Sequence, residues 1–287
     1  MPNVSPSQQF IRSRAGIVGL LIVGLLVVFA LAFPLVSTHD PYTSDFARGV
    51  SASGGPAPPG PMFLLGTDRI FRDELVRLAY GARLSLFIAV AATLLSTFVG
   101  GTVGIVAGFF GGATDFALMR VVDVGLAFPF LLLVMAIGAA LGQTTPTTVL
   151  LVLGLTGWLG SARIVRSKTI QLRHEDFVLA ARALGQSSAR ILFLHILPNV
   201  AGQLSVLATL SVAQMIVAES VLSYLGAGIA PPVPTWGHML YEGQDAVLLA
   251  PWLLLAPGVA ILVSVLGFNL IGEGLRDVFD ARQLGAR

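Results

Sequence analysis

The run Leu84–Phe109, LSLFIAVAATLLSTFVGGTVGIVAGF, holds 26 residues without a charged side chain. About 20 apolar residues suffice to carry a helix across the hydrocarbon core of a bilayer. Its glycines at Gly100, Gly104 and Gly108 recur every fourth residue, which puts them on one helix face and lets a neighbouring backbone approach closely. Five more such runs lie on either side: Ile17–Leu35, Leu118–Leu141, Thr148–Ile164, Val200–Leu225 and Trp252–Ile271. The expectation is an all-α membrane protein with six transmembrane helices. Pro129 and Pro257 fall inside runs and should kink them, which buried helices tolerate when neighbours satisfy the freed carbonyls. Gly157 and Ser161 repeat the small-residue spacing in the fourth run. These faces serve either helix packing or the lining of a solute path.

Composition agrees. The chain is 55% hydrophobic and 11% charged, with a mean hydropathy of +0.85, where a soluble domain carries about 25% charged residues. The first run follows Arg12 and Arg14, is longer than a signal-peptide core and ends in Phe33-Pro34, so it reads as an uncleaved helix. The organisation expected is a cytosolic N-terminus and first helix (1–36) and an extracytoplasmic loop with a short amphipathic helix at Arg72–Tyr80 (37–83). A five-helix core with a cytosolic loop at 166–198 (84–275) and a cytosolic tail (276–287) complete it. The stretch Ser51-Ala-Ser-Gly-Gly-Pro-Ala-Pro-Pro-Gly-Pro61 in the long loop reads as flexible.

Orientation follows the bias of Arg and Lys toward the cytosol. With the N-terminus inside, Arg12, Arg14, Arg120, Arg163, Arg166, Lys168, Arg173, Arg182, Arg190, Arg276, Arg282 and Arg287 are cytosolic. Arg48, Arg69, Arg72, Arg77 and Arg83 lie outside, a split of twelve to five among the 17 basic residues.

Several chemistries are excluded. A phosphate-binding loop needs a lysine after a glycine-rich turn, and the single lysine, Lys168, lacks those glycines. The four histidines, His39, His174, His195 and His238, have no metal-ligand spacing, and there is no cysteine. No cofactor or metal is expected, and a net charge of +2 does not call for nucleic acid. Proton-driven carriers use chains of buried acids, whereas the one deep acid here is Glu219. It reads either as a paired or snorkelling carboxylate or, with Ser220 and Tyr224, as part of a gate or solute contact. Asp115 and Asp123 sit where the third helix begins, and its dipole favours carboxylates there.

The stretch between the fourth and fifth runs is punctuated rather than loose. Asp176-Phe-Val-Leu-Ala-Ala-Arg-Ala-Leu-Gly185 puts Phe177, Ala180, Ala181 and Leu184 on one helical face. Gly185 suits the left-handed position after a helix. Ser188 suits the N-cap of a second helix, and Pro198 its limit. Two short helices at a sharp angle are expected, their apolar face entering a groove on a partner or lying on lipid.

This stretch resembles the cytosolic loop motif of ABC-importer permeases: Glu-Ala-Ala, three residues, Gly, nine residues, Ile-x-Leu-Pro. Ala180, Ala181, Gly185, Leu197 and Pro198 match; Leu179 stands for the Glu and His195 for the Ile. Leu65-Gly-Thr-Asp68, Arg72-Asp73, Tyr80-Gly-Ala-Arg-Leu-Ser-Leu86, Leu222-Ser-Tyr-Leu-Gly226, Pro231-Pro232 with Trp236-Gly237, and Phe268–Asp277 narrow the resemblance. They point to the C-type permease subunit of dipeptide, oligopeptide and nickel importers. Phe71 and Val76 stand where that family would carry Gly and Ser. The resemblance implies a type I ABC importer permease fold and a transport subunit without enzymatic activity, with both termini cytosolic in a bacterial inner membrane. It implies as partners a second permease, two ATP-binding subunits, a solute-binding protein and membrane lipid. Asp176–Gly185 with Leu197 and Pro198 would couple to the ATPases. Peptides are the implied solutes; nickel chelates, glutathione and oligosaccharides are the alternatives. A secondary carrier would need inverted repeats and buried coupling-ion residues, and neither is evident. A structural subunit of a membrane enzyme complex fits the groove-entering loop less well.

Overall fold

A computed structural model describes residues 10–11, 13–142 and 145–285, the last six by backbone alone. Arg12 and Arg287, used in the orientation argument, lie outside the described residues, as does the side chain of Arg282. The described chain forms α1 (Arg14–Val36), α2 (Glu74–Phe110), α3 (Gly112–Leu126), α4 (Phe130–Leu141), α5 (Pro146–Thr156), α6 (Trp158–Arg173), α7 (Asp176–Ala183) and α8 (Ser188–Ile191). A π turn at Leu192–Ile196 follows, then α9 (Leu197–Tyr224), α10 (Trp236–Gly243), a 3₁₀ turn at Gln244–Ala246 and α11 (Trp252–Gly285).

Five helical segments are long and apolar enough to cross a membrane: Arg14–Val36, Glu74–Phe110, Pro146–Arg173, Ser188–Tyr224 and Trp252–Phe279. The sixth expected span is broken. α3 and α4 meet at 89°, and neither reaches the roughly 30 Å of hydrocarbon alone at 1.5 Å per residue. Pro129 sits at the N-cap of α4. It cannot donate a helical hydrogen bond and it disfavours helix at Phe128, so the expected kink is a full turn of direction.

α2 is the spine. At 37 residues it is about 55 Å long, so its ends protrude from the hydrocarbon. The separate helix expected at Arg72–Tyr80 is the first part of this helix, which starts at Glu74 and runs on unbroken. Asp73 caps it, its Oδ1 accepting from Leu75 N (2.9 Å) and Val76 N (3.2 Å). Gly104 packs against α6: a Cβ there would meet the Ala162 carbonyl at 2.6 Å and Val165 Cβ at 2.7 Å. Helix packing is thus the use of the small-residue face. Pro34 inside α1 frees the Ala30 carbonyl, and Arg83 of α2 satisfies it, Nε donating at 2.6 Å, with a second bond to Leu31 O at 2.8 Å. The main core gathers Leu86, Ile88, Val152, Leu153, Ile216 and Trp236.

The expected flexible stretch is instead pinned. The buried Thr67 hydroxyl donates to Gly49 O (2.7 Å) and accepts from Ala57 N (2.8 Å), and Ala57 N also donates to Gly49 O.

Candidate functional site

Three places deserve a site's description: a cleft at mid-bundle, a charged cap at one end, and a pair of short helices at the other.

The cleft has a volume of about 700 Å³ and lies where the helices are interrupted. The α3–α4 corner supplies Gly125, Phe128 and Phe130, the α5–α6 joint supplies Gly157, and α9 and α11 supply Gln214 and Asn269. Among the described residues nothing charged lines it. Sequence reading missed the cleft because it exists only between helices distant in the chain; Gly157 was its one forewarning.

Glu219 does not line the cleft, although its neighbours Ala218 and Val221 do. Its carboxylate is fully buried and does not snorkel. Ser85 Oγ donates to Oε2 (3.1 Å) and Ser223 Oγ to Oε1 (2.8 Å), while Trp236 N donates to Ser85 Oγ at 3.3 Å. The group ties α2 to α9 and to the start of α10. Ser220 is buried beside it, its hydroxyl unpartnered, and Tyr224 is partly exposed.

At the cap, Arg77 is fully buried and pairs with Glu242 (2.5 Å) and Asp68 (3.3 Å). Arg72 pairs with the same two acids, at 2.9 and 2.5 Å. The long loop is thereby fastened to α10. Burial alone would push the Glu242 carboxyl up; the His238 ring nitrogen 3.5 Å away and the Arg77 and Arg72 charges outweigh it and hold it at about 2. Phe71, where the resembling family carries Gly, has φ +66°, a left-handed conformation that bulky residues resist. Its ring packs on Phe46 at 5.4 Å.

At the opposite end, α7 has two faces. Val178 and Ala181 are buried in a small cluster with Phe109 of α2, Val165 and Leu172 of α6, Ile191, Ile196 and Val200. Phe177, Ala180 and Leu184 face outward, Leu184 being 81% exposed. Ala181 therefore belongs to the anchoring face, contrary to the face expected from spacing. Gly185 has φ +74°, as its place after a helix requires. Ser187, not Ser188, caps α8, accepting from Arg190 N. Pro198 does not end a helix. It stands in the first turn of α9, and the chain runs on into α9 from the π turn at Leu192–Ile196. Leu197 is half-exposed and Asp176 is exposed. Asp115 stands in the first turn of α3, as expected, and is also held by an arginine; Asp123 is held by an arginine without the dipole's help. Arg166 binds Asp115 through two nitrogens (2.5 and 2.6 Å) and Arg163 binds Asp123 at 2.5 Å. Asp123 stands near the C-terminus of α3, where the dipole opposes it.

An all-helical bundle with lipid-length apolar spans, an uncharged internal cleft and a two-faced helix at one end defines a membrane transport subunit. Residues 100–285 match the family described as the binding-protein-dependent transport system inner membrane component, and residues 7–59 match the N-terminal TM domain of oligopeptide transport permease C. The chain belongs to this inner membrane permease family. It is 38% identical over 274 residues to the oligopeptide transport system permease protein OppC of Bacillus subtilis (strain 168), covering 96% of this chain and 88% of that protein. The dipeptide transport system permease protein DppC of Alkalihalophilus pseudofirmus is 38% identical over 275 residues, with the same coverage of both chains. A putative peptide transport system permease protein of Brucella suis biovar 1 is 39% identical over 281 residues, 98% of this chain and 92% of the relative. The chain is thus a multi-pass transport component of the inner membrane, not an enzyme, and one part of an ABC import system.

Proposed function

We propose that this chain is one of two permease subunits of an ATP-driven peptide importer, paired with a B-type permease, two ATP-binding subunits and an extracytoplasmic solute-binding protein. The relatives named for dipeptides and oligopeptides support the solute class. Both ends of the chain, α7 and most arginines lie in the cytosol, in keeping with the positive-inside bias.

The observation that carries the mechanism is the two-faced α7. Its inner face is joined through one apolar cluster to α2, α6 and α9, so a push on α7 reaches three spans. Its outer face leaves Phe177, Ala180 and Leu184 uncovered. Burying a residue such as Phe177 in a partner groove is worth about 1.5–3 kcal/mol. ATP closes the ATPase dimer, the dimer moves α7, and the bundle switches between two packings, nucleotide favouring one.

Co-purification of the ATPases and their hydrolysis rate with loaded binding protein test this. Ala180→Trp and Leu184→Asp should abolish both while the permease pair still forms. Gly185→Val should also do so, because a β-branched residue resists positive φ. Retention of bound ATPases and full stimulated hydrolysis in all three would remove α7 from the coupling role.

A further inference from the structure

Most polar side chains within the spans are bonded or buried within the chain. Thr156 donates to Val152 O (2.6 Å) and Ser264 to Ala260 O (2.7 Å), Ser85 and Ser223 donate to Glu219, and the unpartnered Thr93 and Ser220 hydroxyls are buried. Gln214 and Asn269 differ in being exposed. Both lie about 15 Å from the nearer end of their spans (Ser188–Tyr224 and Trp252–Phe279) at 1.5 Å per residue. Both are exposed on the wall of the cleft, and among the described residues neither carboxamide has a hydrogen-bond partner. An unpaired carboxamide facing hydrocarbon is costly, and polar side chains at such depth face the bundle interior or water and mark solute paths.

We infer that Gln214 and Asn269 are the solute-contacting groups of this half of the pathway, and that they read the amide backbone of a peptide rather than its charges. This rests on the permease reading above. A carboxamide offers both donor and acceptor, matching the C=O and N–H of a peptide unit. Most of the wall is apolar, with Phe128, Phe130, Leu131 and Met215 among its residues, and among the described residues it carries no ionised group. Peptides that differ in side-chain charge therefore meet the same wall in this half of the pathway, and selection by charge falls to the second permease or the binding protein.

The test uses the complete importer in vesicles and three alanine tripeptides, one with a Glu, one with a Lys and one with neither. Each peptide's affinity for the soluble binding protein is measured separately. The double variant Gln214→Glu, Asn269→Asp should lower uptake of the Glu tripeptide relative to the Lys tripeptide by about tenfold, since like charges brought together out of water are strongly unfavourable. An unchanged ratio with normal uptake overturns the inference. Should the double variant fail to assemble, Gln214→Cys and Asn269→Cys decide in this cysteine-free chain. A water-soluble thiol reagent should label both during ATP turnover, and more slowly with tripeptide present. No labelling in any nucleotide state would mean that the second permease or lipid fills the cleft, and the inference fails. A wild-type importer that takes up none of the tripeptides overturns the peptide reading alone, because labelling during turnover still reports whether the cleft faces the path.

Discussion

The two ends of the bundle are held by opposite means. At the capped end, a loop rich in Gly, Pro and Ser is fixed by buried charges: Arg72 and Arg77 against Asp68 and Glu242, contributed by segments some 165 residues apart. At the other end, α7 and α8 rest on one small apolar cluster and leave large apolar side chains uncovered, Phe193 and Leu194 beside Leu184. The ion pairs of the capped end close within the chain, and removing one member of a buried ion set leaves an uncompensated charge. The α7 end is left open, and under the proposed function its uncovered face is where an ATP-binding subunit docks.

The hardest blow to this contrast is Arg77→Met. It leaves Asp68 and Glu242 short of a buried cation and should destabilise the isolated permease by about 3–5 kcal/mol, read from thermal unfolding in lipid nanodiscs. A loss under about 1 kcal/mol would mean that the cap is held otherwise. Next is Ile196→Ala in the cluster beneath α7, expected to cost about 2–5 kcal/mol of local stability. Hydrogen exchange should speed up across residues 176–198 and stay unchanged at the cap; a uniform increase would show that the two ends do not open separately.

A finer probe is pH. The Glu242 carboxyl is depressed to about 2 from 4.5. Its contribution to stability is therefore fully present above about pH 4.5 and is lost as pH falls toward 2. Glu242→Gln should flatten the unfolding midpoint across that window, relative to wild type, and leave the slope above it unchanged. A difference between wild type and Glu242→Gln that is already lost between pH 7 and 5 would contradict the assignment.

The smallest effect expected is at Phe71. Restoring Gly relieves a positive φ that costs an ordinary residue about 1–2 kcal/mol, but gives up the ring contact with Phe46, worth about 0.5–1.5 kcal/mol. Phe71→Gly should thus leave the unfolding midpoint nearly where it was, while Phe71→Val, which keeps the strain and loses the aromatic pair, should lower it. Equal midpoints for the two variants would show that the conformation at 71 carries no strain.

The sequence by itself determined five of the six expected spans, the small-residue face that carries Gly104, and the left-handed turn at Gly185. Each of these is written in residues a few positions apart, because helix periodicity, capping and glycine's freedom act locally. Only the tertiary structure decided the 89° corner at Pro129, the inward turn of Ala181 with Val178, the capture of the Ala30 carbonyl by Arg83, the burial of Glu219 between two serines, and the cleft that exposes Gln214 and Asn269. A segment that is apolar from Phe177 to Leu184 at every position but Arg182 does not say which side meets its own chain; the positions of Phe109, Val165 and Val200 choose. A carboxylate or carboxamide in a span likewise finds or lacks a partner according to helices that lie far away in the chain. Those outcomes are set by which helices pack together, and local spacing does not encode that.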